Sequence, residues 1–158
     1  MLRPAALDAT DWKILRELQR DGALTNVELA RRVGLTPPPC LRRVQALREA
    51  GFIEGFRAQL NAQKLGFPVV CFAFVHLASQ AEADLAAFQQ AVAGWSAVRE
   101  SWTLSGDDDF LMKCVTPDLP ALQAFIGDLT ATPNVRNVRT ALALSKVKDV
   151  GLVPIQPA

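Results

Sequence analysis

The chain has 158 residues, half of them hydrophobic and 21% charged, with a formal net charge of +1. Such a composition belongs to a globular protein with length for one large core or two small ones, and excludes a disordered chain. No membrane partner or secretory leader is read: Phe67 to Ala78 is too short to span a bilayer and contains His76, and Met1 to Thr10 lacks an apolar core, so the chain is expected in the cytoplasm.

The charge is unevenly spread. Residues 1–60 carry ten Lys/Arg against seven Asp/Glu, or +3, and residues 61–158 carry seven against nine, or −2. That asymmetry suits a nucleic-acid module joined to something else. The cysteines Cys40, Cys71 and Cys114 are odd in number and widely spaced, with no C-x-x-C, which points to reduced core thiols rather than to ligands or nucleophiles.

In chain order, Asp8 to Asp21 is predicted as a first helix, with Asp8 as cap, Asp11 at N3, and Ile14, Leu15 and Leu18 as its core face. Thr25 and Glu28 form a T-x-x-E capping box for a second helix that stops at Gly34. A third helix runs to Gly51, with Leu41, Val44 and Leu47 on one stripe and Arg42, Arg43, Gln45 and Arg48 elsewhere. Between Leu29 and Arg48 stand five arginines and no acid. A short helix, a glycine turn and a longer basic helix is the helix-turn-helix signature, and an arginine set without acids suits a duplex better than a merely solvated face. The solvated helical hairpin is the plainer alternative. Pro37-Pro38-Pro39 remove backbone donors from the start of the third helix, so phosphate anchoring falls to arginines and Thr36. Phe52 to Leu60 is expected to form a small β wing around Gly55, with Ile53 and Phe56 packed back on the helices.

Asn61 to Pro68 reads as a linker between a domain of residues 1–60 and one of residues 69–158. The second half then alternates: strand Val69–Leu77, helix Glu82–Ala93, strand Ala97–Leu104 with Val98, Glu100, Trp102 and Leu104 on one face, strand Phe110–Val115, a helix after Asp118, and strand Val135–Leu144. The order β-α-β-β-α-β is the ferredoxin-like arrangement, so the fold class is α+β, a winged helix-turn-helix followed by a ferredoxin-like domain. Its helices cover one face of the sheet. Strands this apolar on both faces predict that a second copy covers the other.

Gly106-Asp107-Asp108-Asp109 is the only dense acidic cluster. It reads as good turn chemistry, as a weak metal site, or as carboxylates for the ammonium of an amino-acid ligand. His76 is the sole histidine and is expected in the core or an interface, as are Trp12, Trp95 and Trp102. No nucleophile–base order, P-loop or G-x-G-x-x-G occurs, so the reading is of a protein that is not an enzyme and carries no cofactor or metal.

Leu7-Asp8, Asp11, Ile14-Leu15, Leu18-Gln19, Asp21-Gly22, Asn26-Val27-Glu28-Leu29, Arg32-Val33-Gly34-Leu35 and Pro39-Cys40-Leu41-x-Arg43-Val44 together resemble the N-terminal half of the Lrp/AsnC family of leucine-responsive regulators. Gly51-Phe52-Ile53-x-Gly55 continues the likeness. Leu104-Ser105-Gly106-Asp107-x-Asp109-Phe110-Leu111 is similar to that family's ligand loop, and Arg139-Thr140 and Val147-Lys148 to its last strand and tail. Asp108 stands where the family often has an apolar or aromatic residue. The resemblance implies a DNA-binding transcription regulator with a RAM/ACT-like second domain that forms homodimers and often octamers and binds amino acids between subunits. It places effector response on Thr103, Gly106, Asp107, Asp109, Leu119, Ala141, Leu142 and Ala143. On this reading Thr36, Arg42, Arg43 and Gln45 face the major groove of double-stranded DNA, and Arg31, Arg32 and Arg57 meet phosphates. The rivals are an amino-acid-binding regulatory subunit and a helix-turn-helix that works through protein contacts.

Overall fold

In the computed structural model, which describes residues 7–148 and 153–155, the first helix opens as its sequence demands. Helix α1, Ala9–Arg20, has both halves of its capping box: Asp11 N–H donates to Asp8 Oδ1 at 2.8 Å and Asp8 N–H to Asp11 Oδ2 at 3.1 Å. Thr25 caps helix α2, Asn26–Val33, by accepting from Glu28 N–H. Only that half of the expected second box forms, because the Glu28 carboxylate is drawn to arginines instead. Gly34 ends α2 with φ at +77°, a conformation that favours glycine, and Leu35 N–H closes the turn on Ala30 O at 2.9 Å. Helix α3, Pro37–Glu49, begins at the prolines, and Thr36 makes no side-chain cap.

Ile14, Leu29, Ala30, Val33, Cys40 and Leu47 are buried where these helices meet, with Phe52 and Ile53 packed against them. The expected wing is absent: residues 52–60 form no strand, and Phe56 is 46% exposed with its ring against Gly22. A ribbon this short has too little apolar surface to hold two strands together.

The second compact unit spans Leu60–Val147. It holds strand β1 (Val69–Leu77), helix α4 (Glu82–Gly94), strands β2 (Val98–Thr103) and β3 (Phe110–Thr116), helix α5 (Leu119–Thr130) and strand β4 (Val135–Leu142). The strands form one antiparallel sheet in the order β2-β3-β1-β4. Alternate residues of β1 and β3, from Cys71 to Leu77 and from Phe110 to Cys114, are buried against Phe88 of α4 and Phe125 and Leu129 of α5. Cys71 and Cys114 are cross-strand partners in this core, and burial pushes the Cys114 thiol up to about 12, as expected of inert core thiols.

Two register shifts reshape the rim. In β2 the pairing moves from Val98↔Cys114 to Glu100↔Lys113, so Val98 packs on the core while Glu100 and Trp102 stand on the far face. This corrects the expectation of one face shared by Val98, Glu100 and Trp102. In β4 the pairing moves from His76↔Asn137 to Leu77↔Val135, which leaves Arg136 without a partner in the ladder. The sheet's inbound and outbound strands lie side by side, with Cys71 opposite Leu142 and Ala143 N–H donating to Val70 O at 2.9 Å.

Of the described residues beyond Val147, Lys148 and residues 153–155 group with the first unit. There the Gln19 amide clasps the backbone of Val153, donating to its carbonyl at 2.7 Å and accepting its N–H at 3.2 Å.

Candidate nucleic-acid interface and effector cleft

The outward surface of α3 begins with Thr36, Pro37 and Pro38 and continues through Leu41, Arg42, Gln45 and Arg48, all exposed. Among the described residues Arg42, Arg48 and Arg57 meet no hydrogen-bond or ion-pair partner. The other expected DNA-facing arginines are engaged at home. Arg31 is bidentate on Glu28, at 3.0 Å from Nε and 2.7 Å from Nη2. Arg32 reaches Glu28 at 2.9 Å and Glu17 at 3.2 Å. These hydrogen bonds, the one from Arg31 foremost, hold the Glu28 carboxyl at about 2. Arg43 points back to α1, where one nitrogen donates to Asp8 Oδ2 at 2.7 Å and to Asp11 Oδ1 at 2.8 Å. The acid-free window seen in the sequence is therefore neutralised in part by acids just outside it. Glu28 was legible there as an i,i+3 and i,i+4 partner, whereas Glu17, Asp8 and Asp11 arrive only through the packing of α1.

In the second unit a cleft of about 530 Å³ is lined by His76, Gly106, Asp107, Asp108, Arg136 and Asn137. The turn between β2 and β3 forms one wall, and Gly106 carries it with φ at +140°, outside the range of most side chains. The three aspartates of this turn have three different environments. Asp109 is buried, and its carboxylate accepts Leu77 N–H and Gln80 Nε2–H, both at 2.7 Å, so it fastens the turn to the end of β1. Asp108 is paired with Arg139 of β4 at 2.8 Å, and that guanidinium also lies over the Phe74 ring at 4.0 Å. Asp107 is exposed, and among the described residues it has no partner. Arg136 is likewise exposed and unpaired, set into the cleft wall by the register shift in β4. His76 Nδ1 stands 3.4 Å from Asp109 Oδ2 without forming a hydrogen bond.

Of the expected effector residues, Gly106 and Asp107 line this cleft, Asp109 lies beneath it and Thr103 pairs with Phe110 at the same end of the sheet. Ala141 and Leu142 pair with Phe72 and Cys71, and Ala143 and Leu119 are also at that opposite end. The ends are about 16 Å apart at the rise of a strand. His76, Arg136 and Asn137 were missed. The adjacent polar pair Arg136-Asn137 interrupts the two-residue alternation of its strand, and that break was the available signal.

Residues 7–54 match the family model for a winged helix-turn-helix DNA-binding domain, and residues 70–153 match that for the Lrp/AsnC ligand binding domain. The leucine-responsive regulatory protein of Rhizobium meliloti (strain 1021) is 55% identical over 150 residues, covering 94% of this chain and 96% of its own. The protein of that name in Escherichia coli (strain K12) is 40% identical over 144 residues, covering 90% of this chain and 88% of its own. Among solved structures, a transcriptional regulator of Neisseria meningitidis in complex with L-Met superposes with a TM-score of 0.90 at 33% identity, over 95% of this chain and 97% of that one. An AsnC family transcriptional regulator of Agrobacterium tumefaciens gives 0.88 at 36% identity, over 94% and 97%.

Proposed function

The chain belongs to the Lrp/AsnC family of DNA-binding transcription regulators, and on that premise we propose that an amino acid bound in the cleft beside Gly106 tunes its hold on DNA. The observation that carries the effector reading is an unpaired guanidinium and an unpaired carboxylate in one cleft, Arg136 and Asp107. A free amino acid presents the complementary pair, a carboxylate for Arg136 and an ammonium for Asp107. Asp109, buried and engaged at both oxygens by Leu77 N–H and Gln80, acts through the shape of the turn. The Neisseria relative holds L-Met, and the curated relatives are named for leucine, which supports an α-amino acid as the effector class.

Leu119 and Ala141 to Ala143 lie too far along the sheet to share one small ligand with Asp107 in the same subunit. An effector that touches both groups bridges two copies. That geometry, and the outer sheet surface where Trp102 is 44% exposed, support the reading of a homodimer, with assembly toward an octamer as the family's further step. On the DNA side, Thr36, Arg42 and Gln45 face the major groove, and Arg57, Arg31 and Arg32 approach phosphates. The protein acts by binding in the cytoplasm and performs no chemical step.

Two measurements test this reading. Thermal unfolding is followed with each amino acid in turn, and at least one is expected to raise the melting temperature. Asp107→Asn and Arg136→Gln should each remove that rise while leaving the ligand-free melting temperature within about 1 °C, as expected for exposed groups. A native protein that responds to no amino acid would overturn the effector reading. In parallel, a mobility shift against fragmented genomic DNA should retain specific fragments, and uniform weak retention of all fragments would overturn the DNA reading.

A further inference from the structure

We infer that Arg43 is a positioning residue, which sets the posture of α3 through Asp8 and Asp11 and touches no DNA itself. The inference rests on the reading that α3 faces the duplex. The geometry is a closed set of four hydrogen bonds. Each carboxylate spends one oxygen on the capping box of α1, Asp8 Oδ1 on Asp11 N–H and Asp11 Oδ2 on Asp8 N–H. Each spends its other oxygen on the same nitrogen of Arg43, at 2.7 and 2.8 Å. One guanidinium therefore joins the first turn of α1 to α3 across 35 and 32 residues of sequence.

Three consequences follow from the chemistry. Asp8 and Asp11 are held close by the capping box, and without the cation between them their charges repel. The capping bond from Asp11, followed by Arg43, holds the Asp8 carboxyl below its ordinary range, so the anionic form that grips Arg43 persists at neutral pH. A phosphate seeking Arg43 would compete with two carboxylates already in place, and its own charge would be repelled by both. Arg42, the next residue, has none of these ties. The two neighbours thus divide the labour: Arg42 is available to a base edge or phosphate, and Arg43 fixes the helix that presents it.

The sign of one substitution separates this role from direct contact. Affinities are measured with the full chain for a duplex selected from a random pool by the native protein, and for a scrambled duplex of equal composition. If Arg43 positions α3, Arg43→Gln and Asp11→Asn each lower the selected-to-scrambled ratio by about fivefold or more, and together do no more than either alone. The salt dependence of scrambled-duplex binding then stays as in the native protein, because no phosphate contact is lost. A role confined to global stability would leave that ratio unmoved in the folded protein. If Arg43 touches DNA, Asp11→Asn leaves binding unchanged or tightens it by removing a negative charge, and Arg43→Gln lowers the salt slope by about one. That outcome overturns the inference. Asp8→Asn, which retains a capping acceptor, carries the test if Arg43→Gln does not fold. Arg42→Gln serves as the control for the underlying reading. Should it leave the ratio unmoved, α3 is not the reading helix and the inference falls with it.

Discussion

Arg31, Arg32 and Arg43 of α2 and α3 and Arg136 of β4 stand on the surface in opposite electrical states. Arg31, Arg32 and Arg43 are held by Glu28, Glu17, Asp8 and Asp11 of their own unit, while Arg136, at a cleft it shares with Asp107, is paired with no acid among the described residues. The aspartates of the second unit repeat the contrast within three residues: Asp109 and Asp108 are engaged, and Asp107 is open. Charge that a fold has already neutralised supports the fold. Charge left open is what a partner can use. On the proposed reading of α3 as the DNA-facing helix, the contrast moves the weight of recognition from five arginines to Arg42 and Arg48, with Arg57 beyond the helices.

The largest expected effect tests the engaged side of that contrast. Asp109→Ala strips Leu77 N–H of a buried charged acceptor and should cost about 2–4 kcal/mol of stability in the second unit, read by chemical denaturation. Asp107→Ala should cost less than about 0.5 kcal/mol by the same measurement. Equal losses would break the distinction between the two carboxylates. Next in size, Arg42→Ala should weaken specific DNA binding by about 1–3 kcal/mol, while Arg31→Ala, starting from an arginine already shared with Glu28, should weaken it by less. An Arg31 effect larger than that of Arg42 would reverse the ranking.

The smallest effect sharpens the comparison through pH. The Glu28 carboxyl lies at about 2 in the folded protein against an ordinary 4.5, and Asp8 is lowered too. A lowered carboxyl contributes stability that is complete above its unfolded value and fades as pH falls toward the folded one. Acidification from about 4.5 toward 2 should therefore loosen α2 and α3, seen as lower amide protection in the first unit relative to the unstructured exchange rate at the same pH. The loss is small, because these pairs are exposed and screened, and added salt at neutral pH should imitate it in part.

Much of this was legible beforehand, for local reasons. Asp8 with Asp11, Thr25 before α2, Gly34 after it and Asp118 before α5 are signals read within one helical turn, and all cap as expected. The apolar, β-branched runs of β1 and β3 made the sheet legible, and Gly106-Asp107 marked the cleft. What escaped depends on distance along the chain or on one inserted residue. Arg43 looked outward because nothing near it in sequence is acidic, and its partners arrive with α1. Arg136 and the shifted face of β2 follow from bulges that no period of two can announce. The wing expected around Gly55 forms no strand because so short a ribbon has too little apolar surface to hold two strands together.

The clasp between Gln19 and Val153 has a thermodynamic meaning of its own. It closes a loop of 134 residues with two exposed hydrogen bonds. Closing so long a loop from an unstructured chain costs about 4 kcal/mol, more than two such bonds return at about 0.5–1.5 kcal/mol each. Folding of the second unit shortens the loop first, since it sets Val70 beside Ala143 and leaves only the two connecting segments to close. The tail should therefore settle on α1 after the sheet has formed and leave it when the sheet unfolds, so that Val153 reports, from within the first unit, whether the second is intact.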